Sequence, residues 1–146
     1  MNTTIRPMTL RDYAAVMKLW RRTPGMALYA IDDSRPAILR YLRRNPGLSF
    51  VACDGARLVG AVLSGHDGRR ATLHHLAVAE THRQQGIGQA LVVRCLRALA
   101  RQRISKCNIF VQRSNTSGQA FWRHTGWKPR ADLRLLQKPV GTCPRS

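Results

Sequence analysis

The sequence is poor in several things, and each shortage excludes a class of protein. No run approaches the roughly 18 uninterrupted apolar residues of a membrane helix, so a helical membrane protein is excluded. The N-terminal stretch MNTTIRPMTLRDYAAVM has no long apolar segment of the signal-peptide kind, and a cytoplasmic protein is expected. Cys53, Cys95, Cys107 and Cys143 are scattered, with no CxxC pair and no histidine at ligand spacing. Neither a disulfide framework nor a metal site is expected from them; they read as buried free thiols. Repeats, low-complexity tracts and linkers are absent, so the 146 residues are read as a single domain, 1–146. Acids are scarce too. Seven Asp and Glu face 25 Lys and Arg, a net charge of +18. Such a chain attracts anions: phosphorylated cofactors, RNA or acidic protein surfaces. Its arginines are spread over many segments, and the stripe Arg94, Arg97, Arg101 also fits the solvated outer face of a helix.

What is present reads as alternating strands and helices. A short strand is expected over 3–7. Thr9 and Asp12 resemble a capping box before a helix with apolar Leu10, Tyr13, Val16, Met17 and Trp20. A loop over 26–33 leads to a second helix, opened by Ser34 and Pro36, whose apolar side is Ile38, Leu39 and Leu42. Strands over 48–53 and 57–65 flank the hairpin signal Asp54-Gly55, and a third covers 71–78. Ile87, Leu91, Val92, Cys95, Leu96 and Leu99 mark a long amphipathic helix. A strand over 105–112 follows, then a short helix capped by Asn115 and closed by Gly126. A last strand is expected over about 127–137. The order β-α-α-β-β-β-α-β-α-β gives an α/β fold. Its sheet is mixed and mostly antiparallel, and the strands flanking the long helix are parallel.

The chemistry centres on HRQQGIGQALV, His82 to Val92, where a strand, a glycine turn and a helix N-terminus meet. That arrangement suits a phosphate. A dinucleotide fingerprint fails, because Leu91 stands at its third glycine and no acid follows at the ribose position. A Walker loop fails for want of Gly-Lys-Ser/Thr. Gly86 and Gly88 either admit a pyrophosphate to the helix amides or serve a tight turn alone.

LAVAETHRQQGIGQALV resembles, position by position, the Gln/Arg-x-x-Gly-x-Gly/Ala signature of the GCN5-related N-acetyltransferases, the GNAT superfamily. Asn115 followed by FWRHTGW is similar to that family's second motif, and the DGRR turn looks most like small bacterial members of the YpeA type. The resemblance covers nearly the whole chain. It implies a single-domain GNAT fold with helices on both faces of the sheet. It also implies an acetyl-CoA-dependent N-acetyltransferase acting on a primary amine of a small molecule or protein. Leu76, Ala77 and Val78 would then pair with the pantetheine arm. Arg83, Gln84, Gln85, Gly86, Ile87, Gly88 and Gln89 would form the pyrophosphate loop, and Asn115 would bond the pantetheine or simply cap its helix. No metal is implied. The alternative is a basic module of the same fold that binds nucleic acid or an acidic partner with weak or no catalysis. Monomer and homodimer both remain open.

Family enzymes carry base residues at the positions that match Thr72 and His74, and only His74 titrates near neutral pH. Strand alternation puts Thr72, His74 and Leu76 on one face and His75 and Ala77 on the other. His74 is therefore the candidate base, or else a packed histidine, and His75 is read as structural. Two departures from the family stand out. Trp122 occupies the place of its usual acidic Tyr, and an indole N–H does not give up its proton at working pH. Phe110 lies where ribosomal-protein acetylases of the family carry a Glu. Acceptor choice is expected from the loop 25–33 and the second helix. There Asp32 and Asp33 would attract a cationic amine, or Asp33 would cap the helix.

Overall fold

The N-terminal capping signal is built as expected. The Thr9 N–H donates to the Asp12 carboxylate at 2.9 Å, and Arg6 holds the same carboxylate with two bonds of 2.8 Å. This fixes a single 3-10 turn ahead of the first helix. The computed structural model describes residues 2–141, and Cys143 therefore lies outside the described residues. In chain order the elements are β1 (Thr3–Pro7), α1 (Tyr13–Arg21), α2 (Arg35–Arg44), β2 (Phe50–Asp54), β3 (Arg57–His66), β4 (Ala71–Val78), α3 (Ile87–Arg101), β5 (Cys107–Ile109) and α4 (Thr116–His124). Among the described residues, no helix is long and apolar enough to cross a membrane.

The five strands lie side by side in the order β1-β2-β3-β4-β5. All neighbours are antiparallel except β4 and β5, which are parallel and joined through α3, as a right-handed crossover requires. Helices cover both faces. On one face, Val16, Met17 and Trp20 of α1 and Ile38 of α2 pack on Val51, Leu63 and Ala77. On the other, Leu91, Val92 and Cys95 of α3 and Trp122 of α4 pack on Phe50, Val62 and Leu73. Fully burying a Val, Leu, Ile, Phe or Met side chain contributes about 1.5–3 kcal/mol, so the two layers clamp the sheet between them.

Three expectations change. In α2 the core side is Ile38, Tyr41 and Leu42, so Tyr41 takes the place given to Leu39. The stretch 127–137 is not a strand. Pro129 has no N–H to donate, and Arg130 bonds Asp132 at 2.9 Å through two nitrogens. The Leu133 N–H then turns back to the Arg130 carbonyl at 3.2 Å. Leu133, Leu135 and Leu136 are left exposed. Arg94 does not point freely outward: it bonds the Ile5 carbonyl at 3.2 Å and lies over the Phe50 ring. Cys53 and Cys95 are buried free thiols, and Cys107 is half-buried. Burial pushes the Cys95 thiol up to about 12 and Cys107 up to about 11, so both are poor nucleophiles at neutral pH.

Candidate active site

The β4–β5 ladder is short. It runs through Ala71↔Cys107 and Thr72↔Asn108 and ends at Leu73↔Ile109. Beyond that point β4 continues to Val78 with only β3 as a ladder neighbour. The chain after β5 leaves along Phe110, Val111 and Gln112. The parted strands open a cleft of about 1820 Å³, larger than the roughly 300–1,000 Å³ of an ordinary small-molecule pocket. Its walls are the loop after α1, α2, the outer half of β4, the glycine loop and α4.

The glycine loop is anchored at its start and free at its end. His82 is buried; its Nε2 lies 2.9 Å from the Asp54 carboxylate, and its Nδ1 lies 2.7 Å from the Thr81 hydroxyl. A carboxylate only accepts, so Nε2 carries the hydrogen that bonds Asp54. The Arg83 Nε donates to the Val78 carbonyl at 3.2 Å. Gln84 and Gly86 both take positive φ, 61° and 79°. Gly86 is the N-cap of α3, and no side chain caps that helix. The first turn-closing bond runs from the Ala90 N–H to the Gly86 carbonyl, so the amides before Ala90 have no partner within the helix. A Cβ on Gly86 would meet nothing within 4 Å, whereas one on Gly88 would lie 3.5 Å from Phe121 and 3.6 Å from Val78. Gly86 is thus needed for its backbone angle and Gly88 for the width of the cleft.

The outer half of β4 carries a bulge. Ala61 pairs with Ala77, yet Leu63 pairs with His74, so Val62 faces two residues, and His75 sits in the left-handed region at φ 55°. The extra residue reverses the alternation. Leu73 belongs to the α3 layer and Ala77 to the α1 layer, while Leu76 and Val78 pack with Leu73. His74 meets the Tyr41 ring at 6.1 Å between centroids, and His75 meets the Trp20 ring at 4.9 Å. Both histidines therefore face the α1–α2 side, and Leu76 faces away from His74. This corrects the simple alternation, which separated the two histidines.

His75 Nε2 lies 2.8 Å from Asp33 Oδ1. Asp33 is buried and also takes the Tyr29 N–H at 2.8 Å on its other oxygen. The cap of α2 is Ser34, which accepts from the Ala37 N–H. Asp33 is therefore neither a helix cap nor a free acid for an amine; Asp32 remains exposed in the cleft wall. His74 is half-buried, and burial holds its imidazole below the usual histidine range. His75 pushes the same way and Asp33 opposes both. His74 is then neutral at pH 7 and able to accept a proton.

Of the residues singled out in the sequence, His74, Leu76, Ala77, Val78, Arg83, Gln84, Gly86, Ile87, Gly88, Gln89 and Asn115 line the one cleft. Gln85 and Thr72 do not. Asn115 caps α4, its Oδ1 accepting from the Gly118 N–H at 3.0 Å. Its Nδ2 has no hydrogen-bond partner among the described residues. Trp122 is buried edge-on between Phe121 and Trp127 at 5.0 Å from each, and Phe110 is exposed on the rim. Tyr41, Arg40 and Arg44, not singled out in the sequence, also line the cleft. The signal for the two arginines was their one-turn spacing on α2, with Tyr41, which takes the core place given to Leu39, between them.

Residues 13–127 match the model of the acetyltransferase (GNAT) family. An acetyltransferase of Sodalis glossinidius is 28% identical over 134 residues, 92% of this chain and 93% of its own. One of Pectobacterium atrosepticum is 32% identical over 111 residues, 76% of this chain and 77% of its own. The PaiA N-acetyltransferase of Thermoplasma acidophilum, solved in complex with coenzyme A, superposes with a TM-score of 0.78 at 19% identity, covering 88% of this chain and 91% of that one.

Proposed function

The chain belongs to the acetyltransferase (GNAT) family and is by that membership an acetyl-CoA-dependent N-acetyltransferase, and we propose that the cleft between β4 and β5 is where it acts. The observation that carries this reading is the uncapped N-terminus of α3 opening onto strands that have parted. Unpaired amides and the helix dipole favour an anion there, Gly86 leaves open space in front of them, and the cleft has the volume for a long ligand. These features fit acetyl-CoA. The amides of Gly86, Ile87, Gly88 and Gln89 would hold its pyrophosphate, with Arg83, Gln84 and Gln85 around them. The edge of β4 at Leu76, Ala77 and Val78, which lacks a β5 neighbour, would hold its pantetheine arm as an added strand, with the free Nδ2 of Asn115 donating to it. Acetyl-CoA supplies the acetyl group, activated as a thioester.

The chain's own residues prepare the amine. A protonated amine has no lone pair to offer, so its proton must leave first. His74 faces the α1–α2 side of the cleft and is neutral at working pH, and it takes that proton directly or through one water. The loop 25–33 and α2 hold the acceptor against β4, which supplies orientation as well as contact. Trp122 packs in the core and exchanges no proton. We read residues 1–146 as one N-acetyltransferase domain working in the cytoplasm, of the small bacterial type that the DGRR turn suggests.

The test is ligand-induced stabilisation. Acetyl-CoA at about 100 times its Kd should stabilise the fold by roughly 2.7 kcal/mol, read as a rise in Tm. No change in Tm with acetyl-CoA or CoA would refute the assignment of the cleft.

A further inference from the structure

We propose that Arg40 and Arg44 recognise an anionic group on the acceptor, so that the substrate is a primary amine that also carries a carboxylate or a phosphate. The inference rests on the acetyltransferase reading above and names the substrate class for the same cleft.

The argument starts from where the charges lie. Four of the chain's seven acids already have side-chain partners: Asp12 and Asp132 are in ion pairs with Arg6 and Arg130, and Asp33 and Asp54 are bonded to the imidazoles of His75 and His82. Asp67 accepts from the backbone of its own turn. Only two acids line the cleft, Asp32 and Asp33, and Asp33 is taken by His75 and the Tyr29 N–H. The acceptor wall thus offers one free carboxylate, on an exposed loop. The same cleft is lined by two arginines, Arg40 and Arg44, whose side chains make no hydrogen bond or ion pair with the described residues.

Their placement is specific. Arg40 and Arg44 are one helical turn apart on α2, and both line the cleft. Residues at that spacing share a helix face. Two like charges there destabilise a helix unless something of opposite sign lies across them. Tyr41, which lies between them on α2, meets the His74 ring, so this stretch of α2 is the part of the helix that reaches the candidate base. The α3 N-terminus and Arg83 serve the other end of the cleft. A guanidinium pair offers several N–H donors in fixed planes, which match carboxylate or phosphate oxygens. A polyamine or other polycation would meet net repulsion on this wall.

Matched acceptors test this. Acetylation of β-alanine is compared with that of propylamine, and phosphoethanolamine with ethanolamine; the two pairs separate carboxylate from phosphate recognition. For at least one pair, the anionic amine should show kcat/KM higher by about tenfold or more, the worth of one charge-assisted hydrogen bond. The R40Q/R44Q double variant should bring that ratio close to one, while acetyl-CoA affinity by calorimetry stays unchanged. Both arginines are exposed; circular dichroism verifies the fold, and each single variant should show a partial loss. Equal or faster acetylation of both neutral amines overturns the proposal, as does a double variant that keeps the preference. Weakened acetyl-CoA binding in the double variant also overturns it, by assigning the pair to the cofactor. Acetyl-CoA binding with neither anionic amine acetylated overturns the acceptor assignment alone. A wild type that does not bind acetyl-CoA overturns the transferase reading itself.

Discussion

His75 and Asp33 are 42 residues apart and 2.8 Å from each other. The contact joins the bulge of β4 to the loop before α2, so the wall that meets the acceptor is pinned to the strand that carries the candidate base. Asp33 holds that loop twice more, through the Tyr29 N–H at its carboxylate and the Tyr13 hydroxyl at its carbonyl, 2.7 Å away.

Asp33→Ala should therefore leave the His75 and Tyr29 donors without partners, at a cost of about 1–3 kcal/mol for an unsatisfied buried group. Urea unfolding measures it, and Asp33→Asn should recover only part of the loss, because its single acceptor oxygen can serve one of the two donors. The acceptor KM should rise in the alanine variant while acetyl-CoA affinity holds. An unchanged unfolding midpoint would mean the contact contributes nothing to stability.

His74→Ala should lower kcat/KM by about 10²–10⁴-fold, the usual contribution of a positioned base, with acetyl-CoA affinity nearly unchanged. The pKa of His74 lies below its ordinary 6.5. The acid limb of the wild-type rate profile should accordingly fall below pH 6.5, and the variant should lose it. Full activity in the variant would place the base elsewhere.

The same shift sets a stability trend. Between the lowered folded value and the unfolded value of 6.5, the unfolded chain binds the proton and the folded one does not. Stability therefore rises with pH through that window. The His74 contribution is complete above pH 6.5 and is lost as pH falls below it. Denaturation midpoints across this range should flatten in His74→Ala; an identical slope in both proteins would contradict the assignment.

The two glycines of the loop should separate by mechanism. Gly86→Ala forces a side chain into φ 79° and should cost about 1–2 kcal/mol, with weaker acetyl-CoA binding as the amides shift. Gly88→Ala places its Cβ at ordinary contact distance from Phe121 and Val78 and should keep stability within about 0.5 kcal/mol. Gly88→Leu should block the cleft and abolish the acetyl-CoA shift in Tm. Equal effects of the two alanine variants would refute the distinction.

His82→Ala removes the anchor of the loop to Asp54. One net hydrogen bond is worth about 1 kcal/mol, so a modest drop in Tm is expected. Acetyl-CoA affinity should weaken more than His74→Ala weakens it. Calorimetry on the two variants side by side decides the order.

Much of this was legible in the sequence because it is local. The Ser34 cap, the Asp54-Gly55 hairpin and the strand–glycine–helix unit depend on neighbours within a few positions, and the structure has them. Three things were not local. The His75–Asp33 contact requires β4 and the α1–α2 loop to meet, and no spacing rule joins residues so far apart. The facing of β4 depends on a bulge with a non-glycine residue at positive φ, which is uncommon, so plain alternation assigned Leu76 to the wrong side. The strand over 127–137 had strand-like composition, but a ladder needs a partner, and Pro129 and the Arg130–Asp132 turn divert the chain. The cofactor loop and His74 stood out by motif. Arg40 and Arg44 read as two among 25 basic residues until α2 was seen against the cleft.

The bulge at His75 also fixes the length of β4. Deleting that one residue would close the bulge and restore plain alternation: Leu73, Leu76 and Val78 would still turn toward α3, and His74 and Ala77 toward α1. Both layers would keep the side chains they hold now. What the deletion removes is the contact of His75 with Asp33, and with it the tie between the strand and the loop before α2. When related chains are aligned, a one-residue gap at this point should therefore leave the large-small-large pattern of Leu76, Ala77 and Val78 in place and should come with a change at the position of Asp33.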